Sequence, residues 1–142
     1  FEKTLNKMQL SPDVRFSRKA AEAGLQGSTL MMFPTVFHFV AALQRSKRTF
    51  AILFRSFGLD HEKIKHEWNA FCEMRHPVFS HLLSGIGPMD GTVPQVPDRR
   101  IHEMHTLYRD DDGPLLILDN ITNGPSDSSW DKWAKKKPKP KT

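Results

Sequence analysis

The sequence predicts an α/β domain, either an incomplete Rossmann-like parallel sheet flanked by helices or a fragment of one. Three observations carry that expectation. Thr49–Phe54 and Leu115–Leu118 are short, continuously apolar runs bounded by polar or turn residues, the pattern of strands buried on both faces. A Pro-initiated amphipathic stretch precedes the first run, and a second amphipathic stretch follows it. Helices alternating with such strands imply a parallel sheet covered on both sides. With 142 residues, 38% hydrophobic and 26% charged, the chain fits one domain and is far from a disordered composition.

Residues 1–10 are weakly patterned. Ser11 as N-cap, Pro12 at the first helical position and Asp13 then predict a helix that stops at Gly24. Its only apolar residues are Val14, Phe16, Ala20 and Ala21, so shallow packing is expected. Pro34 opens a stronger helix. Val36, Phe37, Phe39, Val40 and Leu43 form one broad apolar face, and Arg45, Lys47 and Arg48 end it with the charge a helix C-terminus prefers. The run Thr49–Phe54 is the first predicted strand. Asp60 caps the next helix, whose Ile64, Trp68, Phe71 and Cys72 share a face, and Pro77 is its expected stop. Residues 84–100 hold Gly85, Gly87, Pro88, Gly91, Pro94 and Pro97 and predict irregular loop. The turn Asp111–Pro114 leads into the second strand, which ends in Asp119-Asn120. The expected organisation is a helical extension over 1–28, a core over 29–122 and a tail over 123–142.

Several classes are excluded. Leu30–Val40 is interrupted by Pro34 and His38, and Leu115–Leu118 is short, so neither reaches the ~20 apolar residues of a membrane span. A single cysteine, Cys72, excludes an internal disulfide framework and a multi-Cys zinc site, and predicts an intracellular, reducing compartment. The chain begins at Phe1 with neither Met nor a charged-then-apolar leader, which predicts a processed chain or part of a longer one.

The net charge of +5 sits in one place. Residues 130–142 hold six lysines and one acid, and the remaining 129 residues hold 15 cations and 15 acids. Pro138 and Pro140 forbid helix there, and like charges keep the tail extended. Lys132, Lys135, Lys136, Lys137, Lys139 and Lys141 therefore make an arm suited to an acidic surface, either nucleic acid or acidic protein.

Other polar groups read as ordinary. His61 and His66 are five apart and face different ways on a helix, while His102 and His105 have no third metal ligand nearby. Asp110–Gly113 has consecutive acids rather than the alternating ones of a calcium loop. Cys72 lies on an apolar helix face and is expected in the core, together with the aromatics at 37, 39, 50, 54, 68 and 71.

The segment Phe54–Asp60, after a Pro-initiated aromatic helix, resembles the haloacid dehalogenase-like superfamily, in particular a eukaryotic group with an Arg-Ser/Thr-Phe-Gly signature. Glu67, Asn69, Phe71, Cys72 and His76-Pro77 look like the same group, and the match covers roughly residues 29–80 with a weaker echo at Leu115–Thr122. The resemblance implies that Ser56 binds phosphate and that Asp119, beside Asn120, holds Mg²⁺; Arg99, Arg100 and Arg109 are alternatives for the family's basic residue. The family's Asp nucleophile has no counterpart before Phe50, where Asp13 is the only aspartate and opens a helix.

The expected function is a non-catalytic, HAD-like subunit or accessory domain of a larger intracellular assembly. Its partners would be other protein subunits, it would need no cofactor, and the basic tail would help anchor it. One alternative is a Mg²⁺-dependent phosphatase whose nucleophile strand lies upstream of Phe1. Another is a nucleic-acid-associated protein that binds through the tail.

Overall fold

Proline opens two of the helices, and a residue in the left-handed region closes three. The computed structural model describes residues 2–25, 27–55 and 60–104, and the backbone of 106–109 and 115–118. In chain order the elements are α1 (Glu2–Met8), α2 (Pro12–Arg15), α3 (Arg18–Glu22), α4 (Pro34–Arg45), α5 (His61–Cys72), a 3-10 turn (Ser80–Leu83), β1 (Thr106–Arg109) and β2 (Leu115–Leu118). They fall into two units: Phe1–Arg55 with Glu62–Ile101, and Ser56–His61 with His102–Thr142.

The predicted parallel sheet is absent among the described residues, and the chain is helix-dominated. Residues 50–54 form no ladder. They run without turn or bend, with Phe50, Ile52 and Phe54 partly buried against the core and Ala51, Leu53 and Arg55 exposed. A run of apolar residues cannot distinguish burial on two faces from burial on one. Here only alternate side chains are inside, and Leu53 is 85% exposed. The second run does form a strand, but β2 pairs antiparallel with β1, in register from Thr106 opposite Leu118 to Arg109 opposite Leu115. Antiparallel neighbours can be joined by a short turn and need no crossover helix. The intervening turn lies outside the described residues.

The first unit has one core. Leu10, Ala20, Ala23 and Leu25 join Phe37, Val40, Trp68, Phe71, Leu83 and Met89 in it. The weakly patterned N-terminus is helical as α1. The chain beyond it pairs back on itself, with Leu10 N–H donating to Ser28 O and Leu30 N–H to Met8 O, both at 2.8 Å. The single helix expected over 12–23 is two. Ser17 interrupts it and recaps α3, its hydroxyl accepting from Ala20 N–H at 3.1 Å.

α4 begins at Pro34, but its apolar stripe is narrower than predicted. Phe37, Val40 and Ala41 are buried, whereas Phe39 is exposed. Phe37 stacks on Phe79 with ring centroids 4.6 Å apart and meets Phe71 edge-on at 4.9 Å. Each such aromatic contributes about 1.5–3 kcal/mol by burial alone. α5 buries Trp68, Phe71 and Cys72 as expected, yet it ends at Cys72, well before Pro77.

Candidate functional site

The face of α5 that carries Ile64, Trp68, Phe71 and Cys72 also carries Glu67, because 64, 67, 68, 71 and 72 follow helical spacing. Glu67 is fully buried, and so is His76. One carboxylate oxygen, Oε2, accepts from the backbone N–H groups of Met31 and Met32, each at 2.9 Å. The other, Oε1, lies 3.3 Å from His76 Nε2. His76 Nδ1 accepts from Val78 and Phe79 N–H at 3.1 Å each. Those two donors fix the tautomer: Nδ1 carries no hydrogen, so Nε2–H donates to Glu67. A carboxylate orienting an imidazole is also the arrangement of a catalytic base and its helper. Here both imidazole nitrogens and both carboxylate oxygens are occupied, and neither side chain reaches solvent. The pair joins three segments: the chain entering α4, α5, and the turn after α5.

The next turn of α5 ties down the irregular segment after the 3-10 turn. Trp68 Nε1–H donates to Arg99 O at 2.6 Å. Asn69 pairs both ways with Ile101, its Nδ2 donating to the carbonyl at 3.0 Å and its Oδ1 accepting from the N–H at 2.8 Å. Met89 N–H donates to Cys72 O, and Arg99 N–H to Met89 O. The loop chemistry read from glycine and proline is therefore correct, and side chains on a helix supply the order that no ladder could.

Arg99 and Arg100 take structural posts. The Arg99 guanidinium lies 4.1 Å above the Phe50 ring and donates to Phe50 O. Arg100 reaches Asp98 at 2.8 Å, Glu73 at 3.1 Å and Asp90 O at 3.2 Å. Hydrogen bonds to Asp98 and Glu73 push the Arg100 pKa upward. Burial raises the Glu73 pKa, but hydrogen bonds from Arg75 and Arg100 outweigh it and hold the group below its ordinary value. Hydrogen bonds from the Thr92 hydroxyl and amide hold Asp90 down as well. Burial, with nearby Asp98 and Glu73, pushes the Cys72 thiol far up, as expected of a core cysteine rather than a nucleophile.

Ser56, Asp119 with Asn120, His105, Asp110–Gly113, and Lys132, Lys135, Lys136, Lys137, Lys139 and Lys141 all lie outside the described residues. Arg109 falls in β1. His66 faces Glu62 across 4.0 Å. Among the described residues, no three His, Cys, Asp or Glu side chains gather as a metal site would require. No described helix is long and apolar enough to cross a membrane.

No family model matches this chain, and no curated protein or solved structure is significantly similar to it. Of the later residues that look like the haloacid dehalogenase-like group in sequence, Glu67, Asn69 and His76 hold segments together by hydrogen bonds, and Phe71 and Cys72 lie in the core. Sequence reasoning missed the Glu67–His76 pair. The signal was an acid placed inside an apolar helical stripe.

Proposed function

We propose that this chain is a non-catalytic subunit or accessory domain of a larger protein assembly, acting by docking. The observation that carries this reading is the exposure of Phe16, Phe33, Phe39 and Leu53, at 81, 54, 62 and 85% respectively. Large apolar side chains left in water beside a well-filled core are the usual raw material of protein interfaces. The one buried acid–imidazole pair among the described residues is consumed in holding segments together. The Lys-rich tail would add a salt-sensitive attraction to an acidic partner. The parallel sheet on which a phosphatase site would stand is absent among the described residues, so this reading draws nothing from it.

The test is the native protein, tagged at its own locus and sized in extract by chromatography with light scattering. The expectation is a stoichiometric protein complex that weakens with salt. Its purified form should not hydrolyse a generic phosphate ester with Mg²⁺. A lone monomer, a species held only by nucleic acid, or robust phosphatase turnover would each contradict the reading.

A further inference from the structure

We propose that residues 49–55 form an open β-edge that accepts an extended, acid-flanked apolar strand from another protein. The inference rests on the docking reading above and names its surface and the chemistry of its partner.

The backbone supplies the first argument. In an extended chain, a residue's N–H and C=O point to the same side, and successive residues alternate sides. Phe50 O accepts from Arg99, which lies on the side shared with Ile52 and Phe54. The opposite side belongs to Thr49, Ala51, Leu53 and Arg55. Among the described residues their backbone N–H and C=O groups make no hydrogen bond. Phe50, Ile52 and Phe54 fasten the segment to the core, and it runs without turn or bend, with alternate side chains inside. A partner strand would meet a preformed row of donors and acceptors, with Leu53 available to a side chain from the incoming strand.

Charge supplies the second argument. No acid occurs between Glu22 and Asp60, and the four cations in that interval are Arg45, Lys47, Arg48 and Arg55. They bracket the edge. Arg45 is held to Leu82 O at 3.0 Å, whereas Lys47, Arg48 and Arg55 have no acidic partner among the described residues. Pairing with a second copy would set Lys47 and Arg48 against Arg55 in an antiparallel register, or each cation against itself in a parallel one. Both arrangements repel. A strand with acids at its two ends complements the edge instead.

The probe is a fluorescent nonapeptide, Glu-Asp-Val-Thr-Val-Thr-Val-Asp-Glu, titrated with the full chain by polarisation. A counterpart with lysine at the four acidic positions is run beside it. The expected result is saturable binding of the acidic probe, about tenfold tighter than its lysine counterpart, which is what two or three exposed ion pairs supply. Ala51→Pro removes an open-edge N–H and should abolish binding while leaving the circular dichroism unchanged. Should that variant misfold, Arg48→Glu with Arg55→Glu is the second test: both sites are exposed, and the preference should invert toward the lysine peptide. No binding, binding indifferent to charge and to Ala51→Pro, or a dimer that forms through this edge would overturn the proposal. A native complex that survives both variants would also overturn it and would leave the docking reading intact. Ala51-dependent peptide binding without a native complex would support the edge while removing the larger assembly.

Discussion

Glu67 is placed so that every partner it has is a donor. Replacing it with Gln puts an amide N–H against Met31 and Met32 N–H or against His76 Nε2–H, and one of these is left unpaired in a dry interior. Glu67→Gln should therefore lower stability by about 2–4 kcal/mol, read as a fall in the urea midpoint at unchanged slope. A midpoint within experimental error of the parent would mean that the pair does not hold these segments. Cys72 makes a second residue-scale test. Its burial and raised thiol pKa predict no reaction with iodoacetamide at neutral pH in the folded protein and rapid reaction in urea. Fast alkylation without denaturant would contradict its placement.

The ends of the helices are settled by one repeated device. α3 closes on Gly24 at φ +72°, with Leu25 N–H donating to Ala20 O and Gly24 N–H to Ala21 O. α4 closes in the same way on Lys47 at φ +53°, and α5 on Met74 at φ +58°. Glycine announces such an end in sequence; Lys and Met do not. The stop at Gly24 is therefore legible in the sequence, whereas α5 ends at Cys72, ahead of the stop that Pro77 predicts. Lys47 is exposed, so Lys47→Gly should remove left-handed strain and stabilise the protein by about 0.5–1 kcal/mol. Gly24→Ala should do the reverse by at least ~2 kcal/mol. The left-handed backbone disfavours a side chain there, and a Cβ would come within 2.8 Å of His66 Cβ. Thermal or urea unfolding of the two variants checks both signs.

The same contrast separates what could be read of the strands. Of the two apolar runs predicted as strands, Leu115–Leu118 is one, whereas Thr49–Phe54 joins no ladder and buries only alternate side chains. Their pairing was not legible. Nothing in Phe50–Phe54 shows that its neighbours are helices and a loop arginine, and the partner of Leu115–Leu118, Thr106–Arg109, lacks an apolar signature of its own. Of the candidate site, the helical face of α5 was visible, while the acid within it was passed over because its partner, His76, lies beyond the helix end.

At the scale of the molecule, acid response and surface follow from these placements. Glu73 and Asp90 are both held below their ordinary pKa values in the folded state. Such groups add stability that is fully present above the unfolded carboxylate pKa and is lost as pH falls through the folded one. The carboxylate part of the acid response should accordingly appear as a fall of the urea midpoint below about pH 4, and Glu73→Gln should make that fall shallower. A midpoint that rises on acidification would contradict the Glu73–Arg100 geometry. Along the first unit, residues 49–55 run without turn or bend, with Ala51, Leu53 and Arg55 exposed. Amide hydrogen exchange, read residue by residue, tests the proposed open edge directly. If the edge is open, Ala51 and Leu53 exchange within seconds while Phe71 and Val40 stay protected. Slow exchange at Ala51 and Leu53, matching that of the helices, would place the segment inside a sheet and contradict it.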